Sequence, residues 1–92
     1  MNKAELIDSI ASSTGESKRV VGDVLDATIS TIEGAVKKGD RVALPGFGTF
    51  ERRARSARTA RNPRTGEEIK VPATKVPAFK PGATFKSSVS GR

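Results

Sequence analysis

The sequence predicts an α+β protein with helices at both ends and antiparallel strands between them, on the basis of three observations. Apolar residues recur at spacings of three and four through residues 1–39, which is the period of an amphipathic helix. From Asp40 the pattern changes to an alternation broken by Gly and Pro, as in strands joined by tight turns. Near the end, Phe85 and Val89 are again four residues apart, which predicts a short helix over about 83–90.

The first helix is predicted over about 3–14. Asn2 is a suitable N-cap, and Glu5 follows three residues later, as in a capping box. Gly15 stands where a helix commonly stops, because glycine adopts the left-handed conformation at low cost.

A second, longer helix is predicted between a cap at Ser17 and a stop at Gly39. Lys37 and Lys38 place cations in its last turn, where the helix dipole favours them. Its apolar stripe is wider than the short first helix can cover, which indicates that it also packs on a partner chain. The stripe is formed by Val20, Val21, Val24, Leu25, Ile29, Ile32 and Val36.

A β-hairpin is predicted next. Residues 41–44 alternate, Pro45 and Gly46 form a turn, and a second strand sets off from Gly48. Phe47 and Phe50 lie beside this turn, and we predict that they form an aromatic core under the sheet rather than a base-stacking surface.

The stretch 52–75 is predicted to be a basic β-ribbon arm. Six arginines fall within residues 52–64, with no acid among them. The chain then turns at Asn62-Pro63-Arg64-Thr65-Gly66 and returns through the β-rich segment 68–71. Both strands are exposed on both sides, and we expect no apolar face suited to lipid insertion.

Strand alternation divides the arginines between two faces of this arm. It places Arg53, Arg55 and Arg61 on one face and Arg52 and Arg58 on the other. The return strand adds Lys70 and Lys75.

Charge is concentrated in the second half of the chain. Residues 1–40 hold 5 Lys+Arg and 7 Asp+Glu, a balance of −2, whereas residues 41–92 hold 12 and 3, a balance of +9. This asymmetry predicts a polyanionic partner, most commonly nucleic acid. With an exposed arm, only about seventy residues remain to build a core, which predicts oligomerisation.

The sequence argues against an enzyme. It has no His and no Cys, which removes the usual general base, the strongest nucleophile and most zinc ligands. It has neither a P-loop nor a Gly-rich dinucleotide fingerprint. No apolar run approaches the roughly 20 residues of a membrane span, and no signal-peptide pattern opens the chain. We therefore expect an intracellular protein without a catalytic site, metal, cofactor, small-molecule substrate or membrane partner.

Several segments together resemble the signature of the bacterial HU/IHF histone-like DNA-binding proteins. They are residues 1–7, 46–50, 61–66 and 76–79, with Arg55, Arg58 and Ala60 at the matching positions between them. The resemblance covers essentially the whole chain, needs no gap, and is greatest to a subunit of an HU homodimer.

This resemblance implies a single HU/IHF-like domain over 1–92 that forms an intertwined homodimer. Residues 1–39 would form a helical dimerisation base, 40–51 and 76–82 a three-stranded β-saddle, 52–75 a protruding β-ribbon arm, and 83–90 a C-terminal helix. The expected dimer core consists of Leu6, Ile10, Val21, Leu25, Ile29, Ile32, Val36, Leu44, Phe47, Phe50, Phe79 and Phe85.

The resemblance also implies roles for individual residues. Pro63 would intercalate between base pairs in the minor groove and kink the duplex, as IHF/HU proteins are known to do. The arm contacts would come from Arg53, Arg55, Arg58, Arg61, Asn62, Arg64, Lys70 and Lys75, and the flanking contacts from Lys3, Lys80 and Lys86.

The expected function is therefore to bind duplex DNA with little sequence preference, favouring bent, nicked or deformable DNA, and to compact the nucleoid in the cytoplasm. Two alternatives stay open at this point. One is an IHF-type subunit that recognises a defined site, and the other is a basic RNA-associated assembly protein.

Overall fold

A computed structural model describes residues 1–91 as helices and antiparallel strands, which confirms the α+β class. The order is α1 (Lys3–Thr14), α2 (Lys18–Lys38), β1 (Val42–Leu44), β2 (Gly48–Arg55), β3 (Arg58–Arg61), β4 (Glu68–Val71), β5 (Thr74–Pro81) and α3 (Ala83–Ser90). The chain divides into two units within α2, the first covering Met1–Gly34 and the second beginning at Ala35.

Helix α1 has the predicted bounds, and its caps explain them. The Asn2 side chain accepts a hydrogen bond from the Glu5 backbone N–H at 2.9 Å, and the Glu5 carboxylate accepts one from the Asn2 N–H at 3.4 Å. This is the predicted capping box. At the other end, Gly15 has φ 77° and donates to the Ala11 carbonyl at 2.9 Å.

Helix α2 begins and ends where its signals predict. The Ser17 hydroxyl accepts from the Val20 N–H at 3.2 Å. At the C-terminus, Gly39 donates to the Val36 carbonyl at 3.0 Å and Asp40 donates to the Ala35 carbonyl at 2.9 Å. This pair of bonds is a Schellman motif, and it requires the left-handed φ of 96° at Gly39.

Strands β1, β2 and β5 form a three-stranded antiparallel sheet with β2 in the centre. Phe50 lies opposite Val42 on one side and Phe79 on the other. One face of the sheet carries a cluster of all four phenylalanines. Ring centroids are 4.8 Å apart for Phe50 and Phe79, and 5.3 Å apart for the stacked pair Phe47 and Phe85. The predicted aromatic core is therefore confirmed.

Strands β3 and β4 pair as a separate two-stranded ribbon, which confirms the predicted turn and return. The last β2–β5 pair is Arg55 with Thr74, and the first β3–β4 pair is Arg58 with Val71. Two residues on each strand separate these pairs, so the register continues without a slip. Pro72 lies in the interruption, where it has no N–H to donate to a ladder.

A single chain buries very little apolar surface. Among the described residues, only Val21 and Val36 are buried apolar side chains, at 6% and 9% exposed. Of the residues expected in a dimer core, Ile10, Leu25, Ile32, Phe50 and Phe85 are half-buried. The remaining ones are exposed, namely Leu6, Ile29, Leu44, Phe47 and Phe79.

Gly48 permits a close approach between β2 and β5, and its replacement tests the packing. A Cβ atom there would lie 2.5 Å from Phe79 Cζ and 2.6 Å from the Lys80 carbonyl oxygen. We expect Gly48→Ala to lower the free energy of unfolding by about 1–3 kcal/mol, because backbone and ring must both shift. Urea denaturation measures the change.

Gly34→Ala is the matched control, since no described atom beyond its chain neighbours and its own helix backbone lies within 4 Å of the added methyl group. It should raise the free energy of unfolding by about 0.5–1 kcal/mol, the usual gain from alanine inside a helix. Equal stability of Gly48→Ala and the unsubstituted protein would contradict the close packing of Gly48 against Phe79.

Candidate nucleic-acid interface

The β2–β5 register divides the sheet into an aromatic face and a cationic face. Phe50 and Arg52 alternate with Glu51, Arg53 and Arg55 along β2, so the last three side chains share the face opposite the phenylalanines. Lys80 pairs with Thr49 and joins that same face. The alternation predicted for the β2 arginines is therefore confirmed, and Arg53, Arg55 and Lys80 lie on the same face of the sheet.

Arg41 also reaches this cationic face, although it is absent from the residues predicted to bind DNA. Its Nη2 atom lies 3.7 Å from Glu51 Oε2, and Arg53 Nη2 lies 3.3 Å from Glu51 Oε1. The register of the β1–β2 hairpin was the signal that could have identified Arg41 from the sequence. Because Val42 pairs with Phe50, the preceding residue, Arg41, comes beside Glu51.

Arg52 has a structural contact. Its Nη1 atom donates to the Lys37 carbonyl at 3.2 Å, in the last turn of α2. The Arg52 guanidinium also lies against Gly39, since a Cβ atom added to Gly39 would be 3.0 Å from Arg52 Nη2. A guanidinium group at a helix C-terminus meets the negative end of the helix dipole. Arg52 therefore ties β2 to the end of α2, a role that arginine content alone does not reveal.

The β3–β4 ribbon also has two unlike faces. Arg58 pairs with Val71 and Ala60 pairs with Ile69, so these four residues share one face. Ile69 is 48% exposed beside Ala60, so this face of the ribbon is the less polar of the two.

The opposite face of the ribbon is polar and charged. Thr59 pairs with Lys70, and Arg61 pairs with Glu68. Arg58 and Arg61, three residues apart in one strand, therefore point to opposite sides of the arm, as the alternation predicts.

The tip of the ribbon is a hydrogen-bonded loop organised by Asn62. Its N–H donates to the Glu67 carbonyl and its carbonyl accepts from Gly66, both at 2.8 Å. Its side-chain oxygen accepts from the Arg64 N–H at 2.9 Å. Asn62 is half-buried, while Pro63 and Arg64 are exposed. Asn62, which is expected among the DNA contacts of the arm, thus uses its side-chain oxygen to shape the loop that presents Pro63.

The remaining predicted lysines lie in separate places. Lys3 belongs to the first unit, where its Nζ lies 2.7 Å from Asp26 Oδ1. Lys75 pairs with Ala54 and shares the sheet face of Arg52. Lys86 is exposed on α3.

Within residues 1–91, no group of three or more His, Cys, Asp or Glu side chains is arranged to hold a metal ion. None of the helices in the described part of the chain combines the length and apolarity needed to cross a membrane.

Comparison with known proteins finds relatives along the whole chain. A model of the family described as bacterial DNA-binding protein matches residues 1–90. The chain is 52% identical over 92 residues to DNA-binding protein HU 1 of Bacillus subtilis, with 100% of both sequences covered. It is 53% identical over 90 residues to DNA-binding protein HU-beta of Pseudomonas aeruginosa, covering 98% of this chain and 100% of the relative.

Solved structures show the same likeness. The Anabaena HU–DNA cocrystal structure superposes with a TM-score of 0.92 at 47% identity, and the match covers 100% of both chains. HU from Thermotoga maritima superposes with a TM-score of 0.70 at 36% identity, covering 97% of this chain and 98% of the other. The predicted family resemblance is confirmed by these matches, and the chain belongs to the HU family of bacterial DNA-binding proteins.

Proposed function

We propose that this protein is a histone-like architectural protein that binds duplex DNA through the minor groove with little sequence preference, bends it, and compacts the nucleoid in the cytoplasm. The observation that carries the proposal is the basic ribbon, which continues the sheet in register and ends in a closed loop that exposes Pro63. The superposition on an HU–DNA cocrystal structure supports it. No catalytic role is part of the proposal.

Arginines supply the attraction in this mechanism. Arg55, Arg58, Arg61 and Arg64 are exposed along the outgoing strand and tip. Guanidinium groups bind phosphate oxygens through forked, permanently charged donors. Contacts with phosphates release condensed counterions, so about six of them would give a slope near −5 for log K against log salt.

Pro63 supplies the bending. An apolar wedge must keep its shape when it separates two stacked base pairs. The loop around Pro63 is closed by three hydrogen bonds that involve Asn62, one donated and two accepted. Unstacking costs less where DNA is nicked or deformable, so such DNA is the preferred substrate. In this mechanism the loop positions Pro63, whereas the arginines provide affinity for DNA.

A homodimer completes the proposal. Only two apolar side chains are buried in the described chain, while Leu6, Val24, Ile29 and Phe47 are exposed. A 92-residue chain with so small an internal core needs further burial to be stable. A second copy of the same chain supplies matching apolar surface and a second arm.

The wedge is tested by Pro63→Ala, compared with Pro72→Ala, which makes the same change within the ribbon but away from its tip. We expect Pro63→Ala to reduce DNA bending, measured by FRET between duplex ends, more than it reduces affinity. Pro72→Ala should leave bending unchanged. The wedge is ruled out if Pro63→Ala bends the duplex as far as the unsubstituted protein does.

The arm is tested by changing Arg58 and Arg61 together to Ala. Affinity should fall uniformly across random duplexes, and the salt slope should become shallower by about 0.9 for each phosphate that the variant no longer neutralises. Replacing Arg19 and Lys38, two exposed α2 cations, is the charge-matched control. Unchanged binding by the arm variant removes the arm from the mechanism.

The same titrations separate the alternative functions. Near-equal affinity for random duplexes is expected for this protein. Strong preference for one sequence would indicate an IHF-type subunit, and preference for RNA over nicked or bent DNA would indicate an RNA-associated protein.

The homodimer is tested through mass action. If folding and association are coupled, the thermal midpoint of the purified single chain should rise with protein concentration. Calorimetry over about a hundredfold concentration range would show this, with sedimentation equilibrium giving the mass. A midpoint independent of concentration, together with a monomer mass, contradicts the homodimer.

A further inference from the structure

The cationic face of the sheet contains a three-residue cluster outside the arm. Glu51 lies in β2 between Arg53, two residues further along the same strand, and Arg41, which precedes β1. Its two carboxylate oxygens are divided between them, with Oε1 3.3 Å from Arg53 Nη2 and Oε2 3.7 Å from Arg41 Nη2. One carboxylate therefore lies between two guanidinium groups, one from β2 and one from the residue before β1.

Exposure differs sharply within this cluster. The Glu51 side chain is 18% exposed, whereas the side chains of Arg41 and Arg53 are 71% and 56% exposed. A carboxylate shielded to this degree needs compensating charge, which the two arginines supply. The Glu51 carboxylate is therefore shielded from solvent, whereas the side chains of Arg41 and Arg53 are largely exposed.

The outward guanidinium groups have the chemistry of a phosphate site. Each carries five N–H donors, and the contact to Glu51 uses one donor of Arg53 at hydrogen-bonding distance. Arg55 and Lys80 extend the positive charge along the same face. If DNA binds the arm as proposed, a backbone that continues from the arm toward the sheet would meet this face.

We propose that Arg41 is a phosphate-contacting residue of the DNA interface and that Glu51 is the positioning residue that holds Arg41 and Arg53 side by side for it. This inference rests on the proposed DNA-binding function and extends the interface from the arm to the β1 edge of the sheet. Glu51 acts through the arginines and does not itself touch DNA.

The first measurement concerns Arg41. We expect Arg41→Gln to weaken binding to a long duplex by about tenfold, the scale of removing one charge-assisted hydrogen bond. The salt slope should become shallower by about 0.9 if Arg41 neutralises one phosphate. Arg41→Lys should keep the slope, because the charge remains. Arg19→Gln, on exposed α2, is matched in residue type and charge and should have a smaller effect.

The second measurement concerns Glu51, through a double-mutant cycle with Glu51→Gln. If Glu51 positions Arg41, the cost of Arg41→Gln should be smaller in the Glu51→Gln background than in the unsubstituted protein. If Glu51→Gln acts only by removing a negative charge, the affinity lost on Arg41→Gln should be the same in both backgrounds. If the Glu51 carboxylate instead competes with phosphate for Arg41, the affinity lost on Arg41→Gln should be larger in the Glu51→Gln background. Circular dichroism confirms that each variant is folded.

The outcomes are distinct. If Arg41→Gln and Arg19→Gln behave alike, Arg41 is not in the interface, and the inference fails while the proposed function stands. If the Arg41 cost is unchanged or larger in the Glu51→Gln background, Glu51 is not a positioning residue. If the unsubstituted protein fails to bind duplex DNA, the proposed function itself fails.

Discussion

The antiparallel ladder between β2 and β5 is the interaction on which the rest of the second unit depends. Eight consecutive residues of β2, Gly48 to Arg55, pair with β5 in one register. Because side chains alternate along a strand, that register assigns every residue of β2 to either the aromatic or the cationic face. A slip of one residue between the two strands would turn the side chains of β5 to the opposite face relative to those of β2. The phenylalanine cluster opposes such a slip, since it would place Phe79 on the face opposite Phe50.

The same register continues into the arm, and this continuity matters for function. The two-residue interruptions on both strands are equal in length, so the β3–β4 pairs remain in phase with the β2–β5 pairs. A ribbon of two strands is marginally stable alone. Its attachment to a packed sheet at one end and the loop closed by Asn62 at the other compensate for the short ladder between them.

The arginines of this chain are chemically identical but structurally distinct. Arg52 contacts the last turn of α2, Arg53 contacts Glu51, and Arg58 lies beside Ala60 and Ile69 on the less polar side of the ribbon. A basic composition accounts for attraction to a polyanion, because long-range charge does not depend on exact placement. A basic composition does not distinguish an arginine that binds DNA from one that connects a strand to a helix.

The sequence by itself determined the elements of this protein and its family. Helix α1, the end of α2, the hairpin turn, the arm and helix α3 follow from signals carried by neighbouring residues, such as the Asn2–Glu5 capping box and Gly39 after two lysines. Such signals act over a few neighbouring residues, so they can be recognised in the sequence alone. Only the tertiary structure decided the side-chain contacts of Arg41, Glu51 and Arg52, and which face of the arm is the less polar one. These depend on which residues lie opposite one another across strands, and Arg41 and Glu51 meet only through the hairpin register. The bonds of Asn62, although local, also required the folded loop, because the same amide could equally have faced DNA.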